Sequence, residues 1–225
     1  MNWLRKEFRL VILLILAFSV TELKASSQDY EMGENPQYLF ADFVMSRVKM
    51  KNNQLTNAMM NYNTISGKMV FLKEKKYYDL TNYDMVDTVY LGTHVFIPVG
   101  KEFYELLLPG EVTLFVQHEG KLKGKPSAYG TTSDVSSNYY ISKANLPGSI
   151  NDVLPPDLLV EQKSVYWLKK NDTFLEFYNE KQFLKLFPET AEQLKVYIKE
   201  NRLKVDRMQD LIKLVDYCNS LAKNQ

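Results

Sequence analysis

Between Phe43 and Phe177 the chain alternates apolar and polar residues with a period of two, in short runs cut by turn residues. A period of two puts successive side chains on opposite faces of a half-buried strand. Val44, Val48 and Met50 share one such face and Arg47 and Lys49 the other. Thr56, Ala58, Met60 and Tyr62 then alternate against Asn57, Met59, Asn61 and Asn63, and further runs follow at Gly67–Leu72 and Val86–Leu91. Val112, Leu114 and Val116 alternate against Thr113, Phe115 and Gln117. The reversals expected between runs are Lys51-Asn52-Asn53, Gly92-Thr93, Gly100-Lys101, Pro109-Gly110 and Lys170-Asn171-Asp172. Glycine at the first central position of a two-residue loop supplies the positive φ that a hairpin turn needs. The pattern predicts an antiparallel meander that curls, closes as a barrel or folds into a sandwich.

After Asn179 the period lengthens. Phe183, Leu184 and Phe187 precede Pro188 and read as one short helix; Ala191, Leu194, Tyr197 and Ile198 line a second, with Asn201 placed for its left-handed end. Asp206 is the expected cap of a third, whose stripe is Met208, Leu211, Ile212, Val215, Cys218 and Leu221. Roughly 45 residues of helix cannot bury a core alone, so the stripes should dock on the sheet. The fold class is therefore α+β, mainly β, with a β body over 26–178 and a helical appendix over 179–225. Residues 143–163, dense in Leu, Ile and Val yet interrupted by Pro147, Pro155 and Pro156, read as an irregular strap across the sheet.

The amino terminus changes the picture of the whole. Arg5, Lys6 and Arg9 precede a run of eleven mostly apolar residues, Leu10–Val20, and a polar stretch with Ala25 follows. These are the parts of a secretory signal peptide over residues 1–25, cleaved after Ala25. A membrane-spanning helix takes about 20 apolar residues, so no transmembrane anchor is expected after cleavage. The 225-residue chain carries 28 basic and 27 acidic residues; without its first 25 it keeps 24 basic and 25 acidic, a formal charge of −1. That balance, with no basic block, excludes a nucleic-acid protein held by phosphate neutralisation.

Candidate chemistry is sparse. One Cys, Cys218, excludes a disulfide framework and any Cys-rich zinc site, and its place in an apolar stripe reads as core packing. His94 and His118 are the only imidazoles; in a meander they lie about two strands, roughly 10 Å, apart, close enough that both can face one cavity, though no close ligand spacing accompanies them. They read as satisfied core or surface groups, and the rival reading is a hydrolase using His94 or His118 beside carboxylates in one cleft. No metal ligand set and no cofactor is expected. Gly120-Lys121-Leu122-Lys123-Gly124-Lys125-Pro126 has a glycine spacing one short of a phosphate-binding loop, with Pro126 where a metal-binding hydroxyl belongs. The most site-like stretch is Gly120–Asn138. Lys121, Lys123 and Lys125 project to one side of an extended chain there, and Tyr129 adds an aromatic face. Its plainer reading is a hairpin edge guarded by lysines.

The segments Phe183-Leu184-Lys185-Leu186-Phe187-Pro188, Tyr197-Ile198-Lys199, Asp210-Leu211-Ile212-Lys213 and Tyr217 resemble the carboxyl ends of exported Bacteroidetes proteins of unknown function. Asn61-Tyr62-Asn63 and Met69-Val70-Phe71 are similar to their β regions. The resemblance implies a periplasmic or other cell-envelope location and assigns no functional residue. Taken together, the expectation is a non-catalytic envelope protein that binds another envelope component, a protein or glycan, with Lys121, Lys123, Lys125 and Tyr129 as candidate contacts. A soluble carrier of a small apolar or sugar ligand is the alternative, beside the hydrolase.

Overall fold

The computed structural model describes residues 35–124, 154 and 158–222. Ten strands form one sheet: β1 (Val44–Met50), β2 (Leu55–Asn63), β3 (Lys68–Lys73), β4 (Lys76–Asp79), β5 (Val86–Leu91), β6 (His94–Val99), β7 (Glu102–Leu108), β8 (Thr113–Gly124), β9 (Leu158–Lys170) and β10 (Thr173–Glu176). Helices α1 (Glu180–Lys185), α2 (Ala191–Asn201) and α3 (Met208–Ala222) follow. The strand order is β4-β3-β2-β1-β5-β6-β7-β8-β9-β10, and every described pair is antiparallel. The meander is broken once, where the 3-10 turn Tyr83–Met85 carries the chain past β1 so that β5 pairs on its far side.

The turns expected from the sequence are where the chain reverses. Gly92 (φ 62°) and Gly100 (φ 63°) open two-residue loops joining Leu91 to His94 and Val99 to Glu102. Asn171 and Asp172 (φ 49° and 60°) form a loop with both residues left-handed, whose twist matches that of the strands. Glu74 and Lys75 (φ 51° and 61°) make the same loop without a turn-forming residue, which is why β4 left no sequence signal. Residues 158–163, expected as the end of an irregular strap, are instead the first half of β9. The remainder of that expected strap, apart from Leu154, lies outside the described residues.

The sheet is open but strongly curled. Its β2–β3 loop reaches across to the far strands: Phe103 N–H donates to the Gly67 carbonyl at 3.1 Å and Gly120 N–H to the Thr64 carbonyl at 2.8 Å. Residues before β1 extend the same seam, with Leu39 N–H on the Tyr62 carbonyl and Thr64 N–H on the Gln37 carbonyl. No ladder joins β4 to β10, so the closure is by points rather than by strand pairing. Of the three forms expected, the structure takes the curled sheet.

One face of that sheet carries the core. Register aligns Val48, Val89, Phe96, Glu105, Val116 and Tyr166 in a row across β1, β5, β6, β7, β8 and β9. Around the curled half, Tyr62, Phe96, Phe103, Met60, Met69 and Leu91 are fully buried. Toward β10, Leu114, Val116 and Leu168 receive Phe183, Leu194, Leu211 and Val215 from the three helices. Burying a side chain such as Phe183 contributes about 2–3 kcal/mol of transfer free energy. Asn179 caps α1 by accepting from Gln182 N–H at 2.9 Å. The left-handed residue after α2 is Arg202 (φ 52°), one position beyond the expected Asn201. Helix α3 starts two residues past Asp206, and Asp210 takes the Lys204 N–H at 3.1 Å. Among the described residues no helix is long and apolar enough to cross a membrane.

Candidate functional site

The row that crosses the core contains one carboxylate. Glu105 sits mid-strand in β7, paired with Phe96 on one side and Val116 on the other, and is 4% exposed. His94 lies two residues from Phe96 and His118 two from Val116, so both share its face on the flanking strands. They sit on opposite diagonals, within reach of a long side chain. Glu105 Oε1 meets His94 Nδ1 at 2.5 Å and Oε2 meets His118 Nε2 at 2.6 Å. A carboxylate only accepts, so those two ring nitrogens carry the protons. Burial by itself raises the Glu105 pKa, but the hydrogen bonds and charge of His118 and His94 outweigh it and hold the carboxyl down at about 2.

Aromatic rings enclose the cluster. Phe40 packs edge-on to His94 at 4.9 Å, and Tyr62 and Phe96 lie 6.1 and 6.3 Å from His118. The Tyr62 hydroxyl donates to the His118 carbonyl at 3.2 Å, and burial pushes its phenol far above the usual range. His118 is 5% exposed. The arrangement has the imidazole–carboxylate contact of an acid–base pair, but it faces a packed interior. Among the described residues no group of three or more His, Cys, Asp or Glu is arranged to hold a metal ion. The sequence marks the two histidines but not their shared partner; for Glu105 the available signal is a lone acid in Phe103-Tyr104-Glu105-Leu106-Leu107-Leu108.

The lysine segment is placed differently. Strands β8 and β9 pair along Thr113–Gly124, but the ladder of β7 reaches only Val116 and that of β10 only Trp167. The remainder projects as a two-stranded arm. Its inner side packs Leu122, Leu158 and Val160 with Ile65 and Leu154, and Gln162 donates to the Pro36 and Tyr38 carbonyls at 3.3 Å each. Lys121 and Lys123 lie on its outer side, opposite Glu161 and Leu159. Lys123 Nζ pairs with Glu161 at 2.5 Å and holds that carboxyl below its ordinary range. Glu119 faces Lys163, so charges of opposite sign meet across the arm, as stable cross-strand neighbours do. Lys125 and Tyr129 lie outside the described residues.

Nearer the base, the same outer side is aromatic. Tyr104 stacks on Trp167 at 5.5 Å, and Phe174 contacts both Tyr104 and Phe115. Gln117 links this patch to charge, accepting from Trp167 Nε1 at 3.1 Å and donating to Glu102 at 2.5 Å. Burial pushes the Tyr104 phenol up to about 12.

Among the described residues, clefts lie on the helical side. One, of about 290 Å³, is lined by Val112, Phe187, Pro188, Cys218 and Leu221; a shallower one, about 630 Å³, runs between α1 and α2. Cys218 is buried, as its stripe implied, and burial raises its thiol to about 12, which removes the thiolate a nucleophile needs. No family model matches the chain, and neither a curated protein nor a solved structure does.

Proposed function

We propose that the chain is an exported, non-catalytic cell-envelope protein that binds another envelope component, a protein or a glycan, through its β body. The projecting β8–β9 arm carries the reading. It extends beyond the sheet's neighbouring ladders and exposes Leu159 (45%) between Lys121, Lys123 and Glu161, an apolar centre inside a charged rim. The basic start and apolar run before Ala25, and the resemblance to exported Bacteroidetes proteins, support the location. The burial of Glu105 and His118, with His94 half-buried beside them, supports a structural role for the imidazoles over the hydrolase alternative. Packing of Tyr62, Phe96 and Phe103 inside the curl favours binding on the surface over a carrier's enclosed ligand.

A photo-crosslinking amino acid at Lys121, expressed in intact cells, is expected to give one discrete adduct. The same group at Glu200, exposed on α2, should not. Equal labelling from both positions, or none from either, would sink the proposal.

A further inference from the structure

The free edge of β9 has a property of its own. The partners of β10 on β9 end at Trp167, so beyond it β9 has strand pairing on the β8 side alone among the described residues. Gly120 N–H points to the Thr64 carbonyl, away from β9. Its cross-strand partner Gln162 therefore turns its own N–H and C=O away from β8, and Val160 and Ser164 do the same. Three residues thus present an outward row of backbone donors and acceptors. An unguarded row of that kind is a template for another strand.

We infer that the occupant of this edge is a second copy of the chain, paired antiparallel through β9 about a two-fold axis at Gln162. In this register Val160 faces Ser164 of the second copy, Gln162 faces its own counterpart, and Glu161 faces Lys163 of the second copy. The choice is determined by charge. Opposed residues must share a face, so the axis passes through a residue; centring on Glu161 or Lys163 would set like charges together. Centring on Gln162 extends the alternation already present inside each chain, where Lys121 faces Glu161 and Glu119 faces Lys163. A continuous row results: Lys121, Glu161, then Lys163 and Glu119 of the second copy, with its mirror row related by the axis. Lys163 is already held on this side, its Nζ 5.6 Å from the Tyr178 ring. The contact is isologous, so it closes as a dimer instead of propagating.

Pairing at this edge does not depend on what the outer side of the arm binds. Its test is sedimentation of the purified protein over a concentration series at about 0.15 M salt, where a Debye length of about 8 Å leaves close pairs intact. A dimer is expected. Glu161→Lys and Lys163→Glu each set two like-charge contacts across the axis and should weaken dimerisation at least about tenfold, since about 1.4 kcal/mol suffices for that. The double variant Glu161→Lys/Lys163→Glu should recover to within about threefold of the parent. Inside one chain the double swap sets a positive charge at position 161 against Lys121 and a negative charge at position 163 against Glu119. A purely intrachain effect therefore predicts it to be the worst of the three. Gln162→Cys supplies a second readout. Hydrogen-bonded partners lie about 5.5 Å apart at Cα, within disulfide range, so mild oxidation should give a covalent dimer that the parent, with its buried Cys218, does not. A monomer at every concentration, a double variant weaker than both singles, or no disulfide at position 162 would overturn the inference.

Discussion

Glu105 is the residue on which most physical consequences converge. A carboxylate in an apolar row would be unaffordable unpaired, because desolvating an isolated charge costs several kcal/mol. Here both oxygens are occupied by imidazole N–H groups. The pairing depresses its pKa from 4.5 to about 2. A depressed carboxyl stabilises the fold above its unfolded pKa, and that contribution is lost as pH falls from about 4.5 to about 2. For a shift of this size it is on the order of 3 kcal/mol. Urea titrations of the parent between pH 5 and pH 2 should show this loss, and Glu105→Gln should show a loss smaller by a similar amount. At neutral pH the same variant should be destabilised by roughly 1–3 kcal/mol, because the amide cannot accept from both rings with two oxygens. Parallel pH curves for the two proteins would mean that the carboxylate is not held as described. Neither histidine's partner was legible by spacing. The contact needs the β6–β7–β8 register, which is a long-range property.

At the scale of elements, legibility followed how locally each one is determined. The hairpins at Gly92 and Gly100 were readable because a two-residue loop asks for positive φ at a defined position. Strand β4 was not, since Glu74 and Lys75 adopt left-handed geometry at a cost of about 1–2 kcal/mol each that pairing with β3 must offset. The start of β9 reads as a strap in the sequence because Pro155 and Pro156 stand beside it and Leu158-Leu159-Val160 does not alternate. Its buried face is seen only once Leu122 and Ile65 are opposite. Helix α3 is tied to the sheet by a device with no sequence signature. Asn219 Oδ1 accepts from Val112 N–H at 2.8 Å and its Nδ2 donates to the Val112 carbonyl at 3.0 Å, as a strand partner would. Gly110 makes room for it, since a Cβ there would lie 2.3 Å from Nδ2. Asn219→Ala strands two buried backbone groups and should cost about 2–4 kcal/mol in urea unfolding, with helical circular dichroism retained. Gly110→Ala should destabilise too, through the clash. An Asn219→Ala loss under about 0.5 kcal/mol would show that the amide is not what anchors α3.

For the whole molecule, the question is whether sheet and helices unfold as one body. The sequence divides them sharply at Asn179, where the period changes, and this invites a picture of a sheet with a loose tail. Packing argues otherwise. Leu114, Val116 and Leu168 are buried on the same sheet face as Phe96 and Glu105, and they are buried by Phe183, Leu194, Leu211 and Val215. Removing the helices would uncover a sheet surface that has no other cover among the described residues, so the helices contribute to the core instead of decorating it. Cys218 reports on this, because it lies in the last helix, is buried, and has its thiol raised to about 12. At pH 8 it should react with an alkylating reagent too large for the cleft of about 290 Å³ that it lines only through unfolding. If helices and sheet are one cooperative unit, the opening free energy from thiol labelling will equal the value from circular dichroism in urea within about 1 kcal/mol. If the appendix detaches alone, labelling will be faster than global unfolding allows, and the gap will persist in dilute urea where the sheet signal is unchanged. Asn219→Ala sharpens the comparison. It should lower both free energies equally in a cooperative molecule, and only the labelling value in one whose helices dock independently.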